Sequence, residues 1–122
     1  MGRVKEDKER EERIEMEIVV DAYNEEERAM GWYYYLENRM RFPFKAKSIT
    51  ERRISPLKKG EVVEVVGMAP EEDCEKEMFV EIRWQDRTLG VPLSQLEGIE
   101  VDEGTQQAVH DWCYWTGRGY EF

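Results

Sequence analysis

The segment WYYYLENRMRFPF, Trp32 to Phe44, limits what this chain can fold into more than any other. With the residues before it, it sets Ala29, Trp32, Tyr33, Leu36 and Met40 at helical spacings along one face. A stripe that large and aromatic must be covered by other apolar surface, so the segment is a core helix and not a platform for stacking a ligand. Asn24 is a capping residue, and Glu25, Glu26 and Glu27 fill a first turn where the helix dipole favours anions. Tyr34 and Tyr35 flank the stripe, while Asn38 falls on the opposite side, toward water. Pro43 stops the helix, because the residue before a proline is pushed out of helical geometry.

Beyond Pro43 the period changes from that of a helix to that of strands. FKAKSI alternates loosely, EVVEVVGMA is rich in valine, and MFVEIRW places Met78, Val80, Ile82 and Trp84 on one side. A tight turn at Gln85-Asp86 leads into RTLGVPL. SQLEG reads as a short helical turn and IEV as a last strand. Thr105 is the expected cap of a closing helix with the stripe Ala108, Val109, Trp112 and Trp115, stopped at Gly117. The fold class is α+β: a small SH3-like barrel or bent antiparallel sheet, packed against aromatic-rich N-terminal and C-terminal helices.

The chain has 122 residues, enough for one modest core, so residues 1–122 form a single domain. Residues 1–12 are a charged N-terminal extension, with acid and base at helical spacings that suit a solvated helix. Residues 14–22 stay open. Ile14, Met16, Ile18 and Val20 alternate as in a strand, whereas Ile14, Ile18 and Ala22 fit a helical stripe. A helix continuing to about Ala22 is preferred, because nothing breaks it before DAYN. Cys74 and Cys113 are too few for a disulfide scaffold, and no secretion signal or membrane-length apolar run is present. These features point to a cytoplasmic protein with reduced thiols and no membrane partner.

The net charge is −10, and it is uneven. Between Arg39 and Lys59 stand eight bases and the single acid Glu51, so that segment is +7 and the remainder −17. A general nucleic-acid binder needs a net basic face, and this chain lacks that overall balance. Acidic balance suits a cation as partner. The basic segment leaves an alternative, an SH3-like module that recognises an acidic partner or nucleic acid through Arg39–Lys59. Its bases could equally pair with the excess acids of the same molecule. No protein partner can be assigned from these residues.

Groups for catalysis are scarce. His110 is the lone histidine, opposite the stripe of its helix, and Cys113 one turn on lies at a different azimuth. A thiol–imidazole pair would need the two to converge and a third group to orient the base. No Cys-x-x-Cys pair, His-x-x-x-His pair or phosphate-binding glycine loop occurs. An enzyme is therefore not expected.

Carboxylates are abundant, and hard cations take them as ligands together with amide and backbone carbonyls. Three clusters stand out: PEEDCEKE at Pro70–Glu77, EGIEVDEG at Glu97–Gly104, and LEN at Leu36–Asn38. The last sits at a helix C-terminus, where unpaired carbonyls and the dipole attract cations. None matches the EF-hand loop. Charge and spacing alone leave each cluster readable as a solvated acidic segment.

The segments EIVVDAYNEEERAMGWYYYLENRMRFPF, VGMAPEEDCEKEMFVEIRW, RTLGVPLSQLE and DWCYW resemble the CcbP family of small bacterial calcium-binding proteins described in cyanobacteria. The resemblance runs from about Arg13 onward, and GWYYYLE followed by FPF is its most specific part. It implies a compact α+β domain that binds Ca2+ without EF-hands and serves as an intracellular calcium buffer or regulator. Carried over residue by residue, it implies Glu37, Asn38, Glu71, Glu72 and Asp73 as metal-site candidates. The family pattern leads one to expect aspartate where this chain has Asn38, which keeps an oxygen donor but loses its charge.

Overall fold

The computed structural model describes residues 5–122, so the first residues of the charged N-terminal segment lie outside it. Helix α1 spans Lys8–Arg13, capped by the Asp7 carboxylate, and continues into a π-helical turn at Ile14–Ile18. Residues 14–18 are thus helical, as preferred, but the helix ends sooner than Ala22: Val19 leaves helical geometry and Asp21 takes a φ of 60°. The expected solvated helix has one engaged side, since Arg10 and Arg13 both reach the fully buried carboxylate of Asp111.

Helix α2 spans Glu25–Arg39, and its Asn24 side chain accepts from the Glu27 N–H at 2.8 Å. Ala29, Trp32, Tyr33, Leu36 and Met40 are all buried, so the aromatic run is core. Tyr35, expected at the flank, is buried as well, because its hydroxyl donates to Asp111 at 2.6 Å and gives the ring a polar anchor inside. Met40 is extended, and the Phe42–Pro43 peptide that follows is cis.

Five strands follow: β1 Phe44–Ser48, β2 Val62–Met68, β3 Phe79–Trp84, β4 Arg87–Pro92 and β5 Leu96–Ile99. They form one antiparallel sheet in the order β4-β3-β2-β1-β5, with a bulge between Val65 and Gly67. The β3–β4 hairpin turns on Gln85 and Asp86, both at positive φ, the geometry that matches the right-handed twist of a tight hairpin. A 3-10 turn at Leu93–Gln95 precedes β5. The last strand begins at Leu96 and not at Ile99, since Ser48 and Lys47 of β1 pair with Leu96 and Glu97.

Helix α3 spans Glu103–Gly117. Its cap is Asp102, not Thr105: the Asp102 carboxylate accepts the Thr105 N–H at 2.8 Å. Thr105 lies one turn inside, buried, with its hydroxyl accepting the Arg41 N–H at 2.9 Å. Gly117 closes the last helical turn, and the left-handed position is Gly119, at φ 85°. Trp112 of α3 meets Trp32 of α2 edge to face at a centroid distance of 5.0 Å. Around this pair, Trp115, Tyr120 and Phe122 complete an aromatic core, and Val65, Val80, Ile82, Val91 and Leu96 supply the sheet side. The architecture is the expected α+β domain.

Candidate functional site

The sequence between β2 and β3 folds as a single 3-10 turn, Glu71–Cys74, after Pro70. Cys74 points inward and is buried, with its sulfur accepting the Phe79 N–H at 3.3 Å. That anchor leaves Glu71, Glu72 and Asp73 exposed, a disposition set by apolar burial at one residue and charge at three. The turn packs on α2. Tyr33 donates its hydroxyl hydrogen to the Ala69 carbonyl at 2.7 Å, which fixes the start of the turn to the middle of the helix.

Glu71 and Glu72 line a cleft of about 490 Å3 together with Glu75 and Lys76 on one side and Glu25, Glu26, Ala29 and Met30 of α2 on the other. Lys76 reaches Glu25 at 3.9 Å, a long and exposed pair. Glu25 and Glu26 were read in the sequence only as first-turn helix acids. Their part in the cleft depends on how the turn folds back, which no local pattern reveals.

The Tyr33 phenol reports on the local field. Its pKa is pushed up to about 12, first by burial and then by the negative charge of Glu37, with Glu71 and Glu72 adding to it. Glu37, from the last turn of α2, and Glu71 and Glu72 of the 3-10 turn therefore act on the same hydroxyl. Asn38 is exposed one residue further on. The third acidic cluster adjoins the same helix end: the Arg39 carbonyl lies 3.5 Å from where a β-carbon on Gly104 would sit. Asp102 in that cluster is already committed, as the cap of α3 and as the partner of Arg41 at 3.1 Å.

The donors present are carboxylate, amide and carbonyl oxygens, the set a hard cation takes. Among the described residues, no three carboxylate, thiol or imidazole side chains already converge where a metal ion could be held. The Cys113 thiol is raised to about 11 by burial and then by the charge of Glu97, and its sulfur lies against the Ser94 and Leu96 carbonyls at 4.0 and 3.9 Å. A thiol held neutral in that way is a packing group.

Of the basic segment, Arg39 pairs with Glu17 at 3.0 Å, Arg41 with Asp102, and Arg52 grips Glu77 through two bonds of 2.7 and 3.0 Å. The +7 run is thus not one continuous basic surface.

A model of a calcium-binding family, that of CcbP, matches residues 12–116. The chain belongs to the CcbP family. The crystal structure of Anabaena CcbP shares 48% identity with this member, over 100% of both chains, at a TM-score of 0.87. A calcium-binding protein in its calcium-binding form shares 47% identity over 100% of both chains, at a TM-score of 0.86. A comparison with curated proteins returned no match. Family membership favours the calcium reading over the SH3-like recognition module, and the family is one of binding proteins rather than enzymes. No helix among the described residues is long and apolar enough to cross a membrane.

Proposed function

We propose that this CcbP family member binds Ca2+ and acts as a cytoplasmic calcium buffer or regulator without an EF-hand. The observation that carries the reading is the family match over nearly the whole chain, to a family described by calcium binding. The electrostatics support it. After burial, the charges of Glu37, Glu71 and Glu72 each raise the Tyr33 hydroxyl, so these carboxylates add negative potential on the same side of α2, which favours a cation there.

The residues assigned to the metal are Glu37 and Asn38 at the end of α2, and Glu71, Glu72 and Asp73 on the 3-10 turn. Each is exposed; the turn under Glu71, Glu72 and Asp73 is tied down by the Tyr33–Ala69 bond and the buried Cys74, and Glu37 and Asn38 stand on α2 itself. When bound, the ion supplies charge neutralisation; the chain supplies oxygens and a rigid base. Both cysteines are free thiols, consistent with work in a reducing compartment.

Isothermal titration of metal-stripped protein with calcium tests the reading. Heat of binding that saturates, and that chelator abolishes, is the expected result. No binding heat at tens of micromolar protein would sink it. Cell fractionation checks the location.

A further inference from the structure

The loop that joins β1 to β2, residues 49–61, is long, ordered at its base and unspent at its tip. Its base is closed by backbone bonds from Ser48 N–H to the Glu61 carbonyl and from Gly60 N–H to the Ser48 carbonyl, each 2.8 Å. Gln95, fully buried, donates from Nε2 to the Thr50 carbonyl at 3.0 Å and the Leu57 carbonyl at 3.3 Å, and so holds both limbs. Arg52 clamps the loop to Glu77 and Ser94, and Leu57 is sunk in the core. A loop held at so many points presents its outer side chains at little entropic cost.

Arg53, Lys58 and Lys59 have no carboxylate within ion-pair distance among the described residues, in a chain with an excess of acids. Between and beside them stand Ile49, Ile54 and Val62, which are 39%, 56% and 56% exposed. Three exposed aliphatic side chains close in sequence to three cations without an ion-pair partner among the described residues are the residue types that recognition surfaces use.

We infer that this loop docks a short acidic protein segment that carries aliphatic side chains. Charge complementarity decides the occupant. The loop is locally basic, but the rest of the molecule is strongly acidic, so an extended polyanion or a charged lipid plane would meet repulsion beyond the loop. A short peptide contacts the loop alone. Its carboxylates answer Arg53, Lys58 and Lys59, and its aliphatic groups cover Ile54 and its neighbours. The site is separate from the calcium residues and stands or falls independently of them.

The test uses the full chain and a fluorescent peptide that alternates Glu and Leu, read by anisotropy at low salt. Anionic phospholipid vesicles and a single-stranded oligonucleotide are run in parallel. The peptide should bind, and the triple variant R53E/K58E/K59E and the single variant Ile54→Ser should each weaken it about tenfold or more. The far-UV circular dichroism spectrum and melting transition of the same variants serve as the folding control, which does not depend on calcium binding. Failure of the peptide to bind at low salt overturns the proposal, as does binding that the variants leave unchanged. Vesicles or oligonucleotide bound through the loop in place of the peptide would overturn the assigned occupant.

Discussion

The hydroxyl of Tyr33 donates to the Ala69 carbonyl at 2.7 Å, and this one bond links the aromatic helix to the acidic turn. It spans 36 positions of sequence, and the charges of Glu37, Glu71 and Glu72 add to burial in raising the pKa of that hydroxyl. Tyr33→Phe keeps the ring and removes the bond. It should cost about 1 kcal/mol of stability and loosen the turn, so calcium affinity should fall while the unfolding transition stays cooperative. Unchanged affinity in a titration of this variant would separate the turn from the calcium site.

Asn38 tests the helix-end contribution. If its amide oxygen is a ligand, Asn38→Asp adds a charge within about 3 Å of the ion and should tighten binding. Neutralising Glu71, Glu72 and Asp73 together should weaken binding. Should only the turn variant act, the site belongs to the turn, and the end of α2 is an ordinary helix terminus. Terbium emission sensitised by nearby aromatics gives a second reading of the same variants.

Asp111 holds three elements at once. Its carboxylate accepts from Arg10 and Arg13 of the N-terminal helix and from Tyr35 of α2. Asp111→Ala leaves two guanidinium groups and a phenol without their acceptor and should cost on the order of 3–5 kcal/mol. Hydrogen exchange should rise first in residues 8–18, because these arginines fasten that segment. Exchange that rises uniformly would mean that the carboxylate serves the whole core instead.

Gly31 is a contact residue. A β-carbon there would lie 2.4 Å from the Ile18 carbonyl oxygen, a backbone atom that cannot swing aside. Gly31→Ala should therefore destabilise by about 1–3 kcal/mol, against the usual helical preference for alanine. Denaturant midpoints decide the sign.

Acid should weaken the same region. Tyr114 and Tyr120 donate to Glu11 at 2.7 and 2.8 Å, and these bonds hold its carboxyl below the ordinary 4.5. The Thr105 bonds, aided by Arg41, do the same for Asp102 against 3.8. A depressed carboxylate contributes stability that is complete above its unfolded value and is lost as pH falls through its folded value. Melting temperature should thus drop as pH passes below about 4.5. Glu11→Gln should flatten that drop, and a profile identical to the parent's would remove Glu11 from it.

Much of the fold was legible because it rests on local chemistry. The stripe Ala29–Met40 could be buried only as a helix, the alternation Met78–Ile82 only as a strand, and Gln85-Asp86 only as a tight turn. Asn24 capped as its side chain allows. The acidic run Pro70–Glu77 and the helix end Leu36–Asn38 could be singled out because charge density and helix termini are sequence properties, and the family resemblance then made Glu37, Asn38, Glu71, Glu72 and Asp73 the metal-site candidates.

Tertiary structure decided what depends on two distant segments meeting. Asp102 caps α3 in place of Thr105 because the backbone turns extended at that residue, and Thr105 is spent on Arg41. Tyr35 is inside because Asp111, 76 positions away, gives its hydroxyl a buried partner. Glu25 and Glu26 line a cleft with Glu71 and Glu72 only because the 3-10 turn folds onto α2. Periodicity reports which face of an element is apolar; it holds no information on which polar groups on two separate elements come within a hydrogen bond of one another. That is fixed by the packing of α2 against α3 and the sheet.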